Sequence, residues 1–364
     1  DGLTTTAEVS GNADITGNGT ITNTRLDQYE IADGQELTLT AAQATGVDVS
    51  APSGTAMTTV TALSSTLDAD LDGITTDLTA DLTSGDATLA STATIGDVNL
   101  DVTGGANATL DVSDMGTNFG VTGSSTTTVA ASNTLRLTAI QADGLDLDGT
   151  GAVIIEELSG DTSTDLSNVE TGLDVTVEVD TSSDITSNTN ITSDAVDAYE
   201  LADGADLTLT AAQADAVSIT ALGTTGATTV MDIDGELNAD LSAVDTSLTI
   251  DLEATGAVGS PIVLGSNAHI DVAAGETLTV TSASGTEHVL DATAATFSFE
   301  DTGSTPGSVT IDPDTTLRLG AGQIDAQTFD GTGSLVVADL DSTNEGTDLS
   351  NVADGLTTTA EVSG

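Results

Sequence analysis

The chain has 364 residues and sets 59 Asp and Glu against 3 Arg, with no Lys, for a formal net charge of -56. A surface this uniformly negative repels phosphate, which excludes nucleic acid and anionic lipid as partners. It also opposes compaction unless divalent cations, salt or an extended geometry relieves the charge.

Cysteine is absent, so neither a disulfide framework nor a thiolate metal site is open to the chain. No apolar run approaches the ~18 residues of a membrane span, so no membrane insertion is expected in this segment. Acidity with few aromatics is also a signature of disorder, but 38% of the residues are hydrophobic and they are patterned along the chain.

The first element, DGLTTTAEVSG at Asp1–Gly11, returns unchanged at Asp354–Gly364. QYEIADGQELTLTAAQATGV, from Gln28, is matched by AYELADGADLTLTAAQADAV from Ala198, which makes Tyr29 and Tyr199 equivalent. TLRLTAIQADGLDLDGTG, from Thr134, returns as TLRLGAGQIDAQTFDGTG from Thr316. Each of these is followed by DLSNV, at Asp165 and at Asp348. Taking Gly2, Gly172 and Gly355 as equivalent gives a first half-repeat of 1–170 and a second of 171–353. Residues 354–364 are then the start of a next one, and the expected object is one period of a tandem array with a short overlap.

All four long copies carry Leu-x-Leu with Gln at the sixth position after the first Leu: Leu37 and Gln43, Leu135 and Gln141, Leu207 and Gln213, Leu317 and Gln323. Thr40, Thr138 and Thr210 stand at the third position before the Gln, the pattern of a capping box on a short helical turn. Gly320 replaces the Thr in the fourth copy. Each mark is predicted to be a strand ending in a one-turn corner.

Between the marks, apolar residues alternate with Asp or Thr over four to six positions, and Gly, Asp, Asn or Ser breaks the pattern roughly every ten residues. The class is all-β. The apolar residues are small, branched and stackable, and Trp is absent. The marks at Leu37, Leu135, Leu207 and Leu317 are also unevenly spaced. Both features favour an elongated β-solenoid built from tandem repeats, which absorbs such variation by adding coils. The alternative is a string of tandem β-sandwich domains, which organise a thick core around large side chains.

Three aspartate runs stand out in chain order: Asp68, Asp70 and Asp72; Asp143, Asp146 and Asp148; and Asp232 and Asp234, followed by Asn238 and Asp240. On a strand, alternate residues share a face, so each run makes a row of carboxylates that a hard cation with oxygen ligands, Ca²⁺ above all, would bridge. An EF-hand is excluded, because the twelfth position of the first run is Thr79 where that loop needs Glu. The competing reading is a hydrated acidic face.

An enzyme has little to stand on. His269 and His288 are the only histidines and neither lies in a catalytic motif. Arg136 and Arg318 hold the same place in the two TLRL copies and are expected to form ion pairs, or to bridge to a neighbouring unit.

The LTLTAAQADAV, DGTG and DLSNV segments resemble those of very large, acidic, Thr- and Asp-rich β-strand-repeat proteins of Gram-negative bacterial surfaces, including adhesin stalks and surface-layer-like proteins. The resemblance implies an extracellular, cell-surface location and calcium dependence. The sequence-level expectation is a non-catalytic structural repeat protein that forms a fibre, sheath or stalk. Its partners would be copies of itself, with cell-surface polysaccharide as a further one. The alternative is a surface-layer lattice protein or an adhesin. Its non-repeating loops are sought in the longest interval between marks, Leu207 to Leu317, which holds Phe297, Phe299 and Pro306.

Overall fold

The computed structural model describes residues 4–63, 69–82, 85–105, 107–158, 163–223, 225–231, 240–241, 243–251, 262–263, 269–272, 277–281, 288–292, 296–299, 308–313, 315–324, 327–340 and 347–362. It is all-β, 48% strand and 8% helix. The chain divides into two units, Asp1–Leu158 with Ser163–Val177, and Ser159–Thr162 with Glu178–Gly364.

Both units are β-solenoids. A strand pairs in parallel with the strand one coil later, over a coil as short as Thr134 to Ala152 or as long as Leu278 to Val309. Parallel neighbours cannot be joined by a tight hairpin. Here the crossover is itself made of strands and corners on the other faces of the coil. Every strand pairing among the described residues is parallel. That removes the sandwich alternative, whose sheets are antiparallel.

In the first unit the longest sheet stacks seven strands, from Ala13–Asp14 through Glu36–Thr40, Met57–Thr61, Asp77–Leu82, Leu100–Gly104 and Thr126–Val129 to Asp146–Gly149. Its inward positions line up coil on coil, with Leu37, Thr58, Leu78, Leu100, Thr127 and Leu147 in one column. The second unit repeats this with seven strands from Ser183–Asp184 to Thr328–Gly331. Its matching column is Leu207, Thr228, Leu248, Leu278, Val309 and Phe329.

Strands in a sheet lie about 4.8 Å apart, so each inward side chain rests directly on its counterparts above and below. Leu, Val, Ile and Thr fill such a column without large rings, which is why a chain with 2% aromatics still has a core. Each buried Leu contributes about 2 kcal/mol through the apolar surface removed from water.

Burying a threonine hydroxyl in a leucine column costs free energy unless it finds a partner, and Thr127 Oγ1 has none among the described residues. Thr58 and Thr228, both fully buried, solve this in the same way. Thr58 shares a hydrogen bond with Thr76 at 2.6 Å, and half a repeat later Thr228 shares one with Thr246 at 2.7 Å.

At the DGTG copies one coil comes very close to the next. The N–H groups of Thr150 and Gly151 both reach the carbonyl of Val129, at 3.1 and 3.0 Å. Those of Thr332 and Gly333 reach Ile311 at 3.1 and 3.0 Å. Gly149 and Gly331 sit at φ 119° and 112°, and a Cβ on either would collide with that same carbonyl.

Candidate functional site

Three corners close with the predicted box. The strand Glu36–Thr40 ends at Thr40 in extended conformation, and Ala41–Ala44 makes one helical turn. Thr40 N–H donates to Gln43 Oε1 at 2.9 Å, and Gln43 N–H donates to Thr40 Oγ1 at 3.3 Å. Thr138 with Gln141 and Thr210 with Gln213 repeat the geometry. At the fourth corner Gly320 supplies no hydroxyl, but its N–H still donates to Gln323 Oε1 at 2.6 Å.

The Gln does more than cap. Its amide nitrogen reaches into the preceding coil, where Gln43 Nε2 lies 3.0, 3.2 and 3.4 Å from the carbonyls of Ile15, Asn18 and Ile21. Gln213 Nε2 lies 3.0, 2.8 and 3.2 Å from those of Ile185, Asn188 and Ile191. Gln141 takes Val112 at 2.8 Å, and Gln323 takes Ala292 at 3.1 Å. One buried amide thus satisfies a helical N-terminus with its oxygen and the coil beneath with its nitrogen.

Aspartates latch the other corners. Asp33 Oδ1 accepts the Ser53 N–H and Asp203 Oδ1 the Thr225 N–H, both at 3.2 Å. Asp86 accepts from Thr109 N–H, and Asp215 from Asp240 N–H. Asp97 collects the Thr122 N–H with the hydroxyls of Thr122, Ser124 and Ser125. Those donors hold its carboxyl below the usual carboxylate range, the Ser125 hydroxyl most of all. Asp14 and Asp165 are lowered by hydrogen bonds from Thr16 and Ser167. Much of the acidity therefore serves as hydrogen-bond acceptors between or within coils. Alternation alone does not reveal this. The signal that would have done so is the Ala-Asp-Gly turn, repeated in both halves, that carries Asp33 and Asp203.

Of the predicted cation ligands, Asp70 and Asp72 come together. Both are exposed, Asp70 on the two-residue strand Asp70–Leu71 and Asp72 in the turn after it. Asp72 is pushed above the usual carboxylate range by its hydrogen bond with Asp70, then by partial burial and by the charges of Asp70 and Asp48. Asp70 is held below that range, chiefly by the Thr94 hydroxyl at 2.7 Å and then by Asp72.

The second run does not converge on one point. Asp143 is at the corner and accepts the Asp165 N–H at 2.8 Å, while Asp146 accepts the Thr126 hydroxyl at 3.0 Å. Asp146 and Asp148 share the outward face of Asp146–Gly149. Asp68, Asp232 and Asp234 lie outside the described residues. Among the described residues no group of three or more His, Cys, Asp or Glu side chains is arranged to hold a metal ion. Asp70 and Asp72 form a carboxylate pair with the charge of Asp48 nearby, a donor set suited to a bridging cation that keeps most of its water rather than to a closed cage.

The two TLRL arginines each meet a glutamate, Arg136 pairing with Glu156 and Arg318 Nη2 with Glu361 Oε2 at 2.6 Å. His269 and His288 fall on the strands His269–Val272 and His288–Asp291. Tyr199 is fully buried, its hydroxyl has no hydrogen-bond partner among the described residues, and burial pushes its pKa far up.

Fold and corners together define a parallel β-solenoid latched by side-chain amides and carboxylates. No family model, no curated protein and no solved structure matches the chain.

Proposed function

We propose that this chain is a structural, non-catalytic repeat protein of an extracellular fibre, sheath or stalk, with divalent cations bridging its acidic faces. The observation that carries the reading is the recurrence of the same structural contacts half a repeat apart. The Thr58–Thr76 bond recurs as Thr228–Thr246, and the Gln43 corner as Gln213. Residues shared by the two halves go to stacking and latching, which an extended scaffold needs and a unique catalytic site does not. The Asp70–Asp72 pair supports the cation component, since a shared proton and a bridging cation relieve the same repulsion. The net charge of -56 opposes association of like copies, so in this reading copies join through cations that bridge their acidic faces.

A second reading, a surface-layer lattice protein or adhesin with a polysaccharide or cell-surface partner, is favoured by one feature. Two successive coils of the second unit, Leu248 to Leu278 and Leu278 to Val309, are longer than the Thr58-to-Leu78 coil of the first. The added length gives that region material for loops.

Negative-stain electron microscopy of native material, with and without a calcium chelator, tests both. Filaments with an axial repeat that fray on chelation are the expected result. Short monodisperse rods in both conditions would overturn the fibre reading and leave the binding module.

A further inference from the structure

Parallel stacking aligns outward residues as strictly as inward ones. On the long sheet of the second unit, Thr208, Thr229, Thr249, Thr279 and Thr310 lie side by side on successive strands, with no shift in register. All five are half-buried, between fully buried neighbours on their own strands. Two positions earlier on the strands, Ala227, Ser247, Thr277, Ser308 and Thr328 form a second column of the same face. Three successive strands, Ser247–Asp251, Thr277–Thr281 and Ser308–Ile311, thus open with hydroxyl-x-Thr or its equivalent. Asp184, Asp206 and Asp330 stand at the ends of the two columns, and no carboxylate interrupts them.

The first unit has a matching seven-stranded sheet and a different face. There Asp77, Asp101 and Asp146 occupy the places of Ser247, Thr279 and Thr328. Carboxylates also engage its hydroxyls, Thr59 donating to Glu36 Oε1 at 2.8 Å and Thr126 to Asp146 Oδ2 at 3.0 Å. In the second unit no hydrogen bond joins the hydroxyls of the five threonines to another described residue. Inward contacts are kept between the halves, as the Thr58–Thr76 and Thr228–Thr246 bonds show. An outward face that departs from its repeat partner is therefore not dictated by stacking.

The chemistry of that face narrows its partner. In a chain with 59 Asp and Glu, it is the uncharged part of the long sheet, so it suits neither a cationic protein nor an ionic mineral. A soluble glycan gains little from it, because an exposed hydroxyl bonds water about as well. What the face offers is repetition in two directions, about 4.8 Å from strand to strand and about 6.7 Å between same-face residues of one strand. Threonine is stiff at χ1, so each hydroxyl and methyl is held in place before a partner arrives. Ice presents oxygens on an uncharged, flat lattice with nearly those two repeats. Contacts too weak to hold singly then act together, provided that they are in register.

We infer that the face carrying Thr208, Thr229, Thr249, Thr279 and Thr310 binds ice. The hydroxyls take the places of lattice oxygens, and the methyls order the water between them. Ice between bound molecules grows only as a curved front, which puts its freezing point below its melting point. This activity goes beyond the structural reading and does not depend on whether copies join into fibres.

The test uses the full chain, with the gap between melting and freezing points read by nanolitre osmometry and capture read on a growing ice surface. The parent should open a gap and be enriched in the ice. Thr249→Lys should abolish both, whereas Thr79→Lys, the same change at the matching position of the first unit, should leave both unchanged. Thr279→Asp should also abolish them with an unchanged circular dichroism spectrum, since the fold already carries Asp101 at the matching place. A parent without a gap or enrichment overturns the inference, and so does a gap that Thr249→Lys and Thr79→Lys lower alike. Retention on a crystalline neutral polysaccharide with no effect on ice would overturn it too, by giving the face another occupant. Filaments seen by electron microscopy in a chain inert toward ice would leave the structural reading standing alone.

Discussion

The corner at Thr210–Gln213 and the corner at Gly320–Gln323 do the same job with different parts. In both, the glutamine oxygen takes the N–H at the end of a strand and its nitrogen reaches a carbonyl of the coil below. Only the first adds a hydroxyl, which accepts the Gln213 N–H and donates to Gln213 Oε1. The turn differs accordingly, a helical Ala211–Ala214 against a tighter Ala321–Gln323. The amide between coils is thus the constant element and the threonine cap a local reinforcement. A side chain that satisfies two coils at once is harder to replace than one that satisfies its own turn.

The largest expected effect comes from breaking the constant element. Gln213→Ala leaves the Thr210 N–H and the carbonyls of Ile185, Asn188 and Ile191 without their side-chain partner. The Ile185 carbonyl keeps the Asn188 N–H as a donor. At about 1–3 kcal/mol for each buried group left unsatisfied, the Thr210 N–H and one further carbonyl put the loss at roughly 2–6 kcal/mol. Hydrogen exchange at residues 207–214 is the measurement, because a coil stack can open locally without global unfolding. Protection unchanged from the parent would remove the amide from its central role.

Next comes the comparison of caps. Thr210→Ala should cost about 1 kcal/mol, the usual loss for a removed helix cap, with the inter-coil amide intact. In the opposite direction, Gly320→Thr should gain about 0.5–1 kcal/mol, a cap restored and a flexible residue removed. Gly320 is already extended, at φ -72° and ψ 151°, and a Cβ there meets only the Gln323 side chain, at 3.2 Å. Chemical denaturation of the two variants beside the parent reads both. A loss at Gly320→Thr would show that the tighter turn is selected against the hydroxyl.

The smallest effects separate amide latches from carboxylate latches by pH. Asp97, Asp14 and Asp165 have lowered folded pKa values, so their contribution is full above the ordinary 3.8 and is lost as pH falls through the folded value. Asp97→Asn should therefore flatten part of the acid limb of a melting-temperature profile, whereas Gln213→Ala should lower the whole profile evenly. Asp72 runs the other way. Its raised folded pKa means that ionisation costs stability, so Asp72→Asn should stabilise, with a margin that widens as pH rises above 3.8. Excess calcium that erases this margin would identify the Asp70–Asp72 pair as the bridged site.

The all-β class, the repeat offsets and the Thr-x-x-Gln corners are legible in the amino-acid order alone, because each is written locally. Period-2 alternation at Asp77–Leu82 and Leu100–Gly104 fixes which residues face inward whatever the neighbours are. A capping box is closed within a single turn, so Thr40 and Gln43 announce it unaided. The preference for a solenoid followed from small, stackable apolar residues, and parallel pairing then decided it.

Which coil each polar atom reaches depends on the stack. The Gln43 amide finds the carbonyl of Ile15 in the coil before it, and Asp33 the N–H of Ser53 in the coil after it. Coil length varies, as Thr134 to Ala152 against Leu278 to Val309 shows, so no fixed spacing predicts these partners. The same variation places Asp143 at a corner and Asp146 on a face, although both belong to one acidic run. Alternation gives a side chain its face of the strand. Only the stack supplies the neighbour that its hydrogen bond requires.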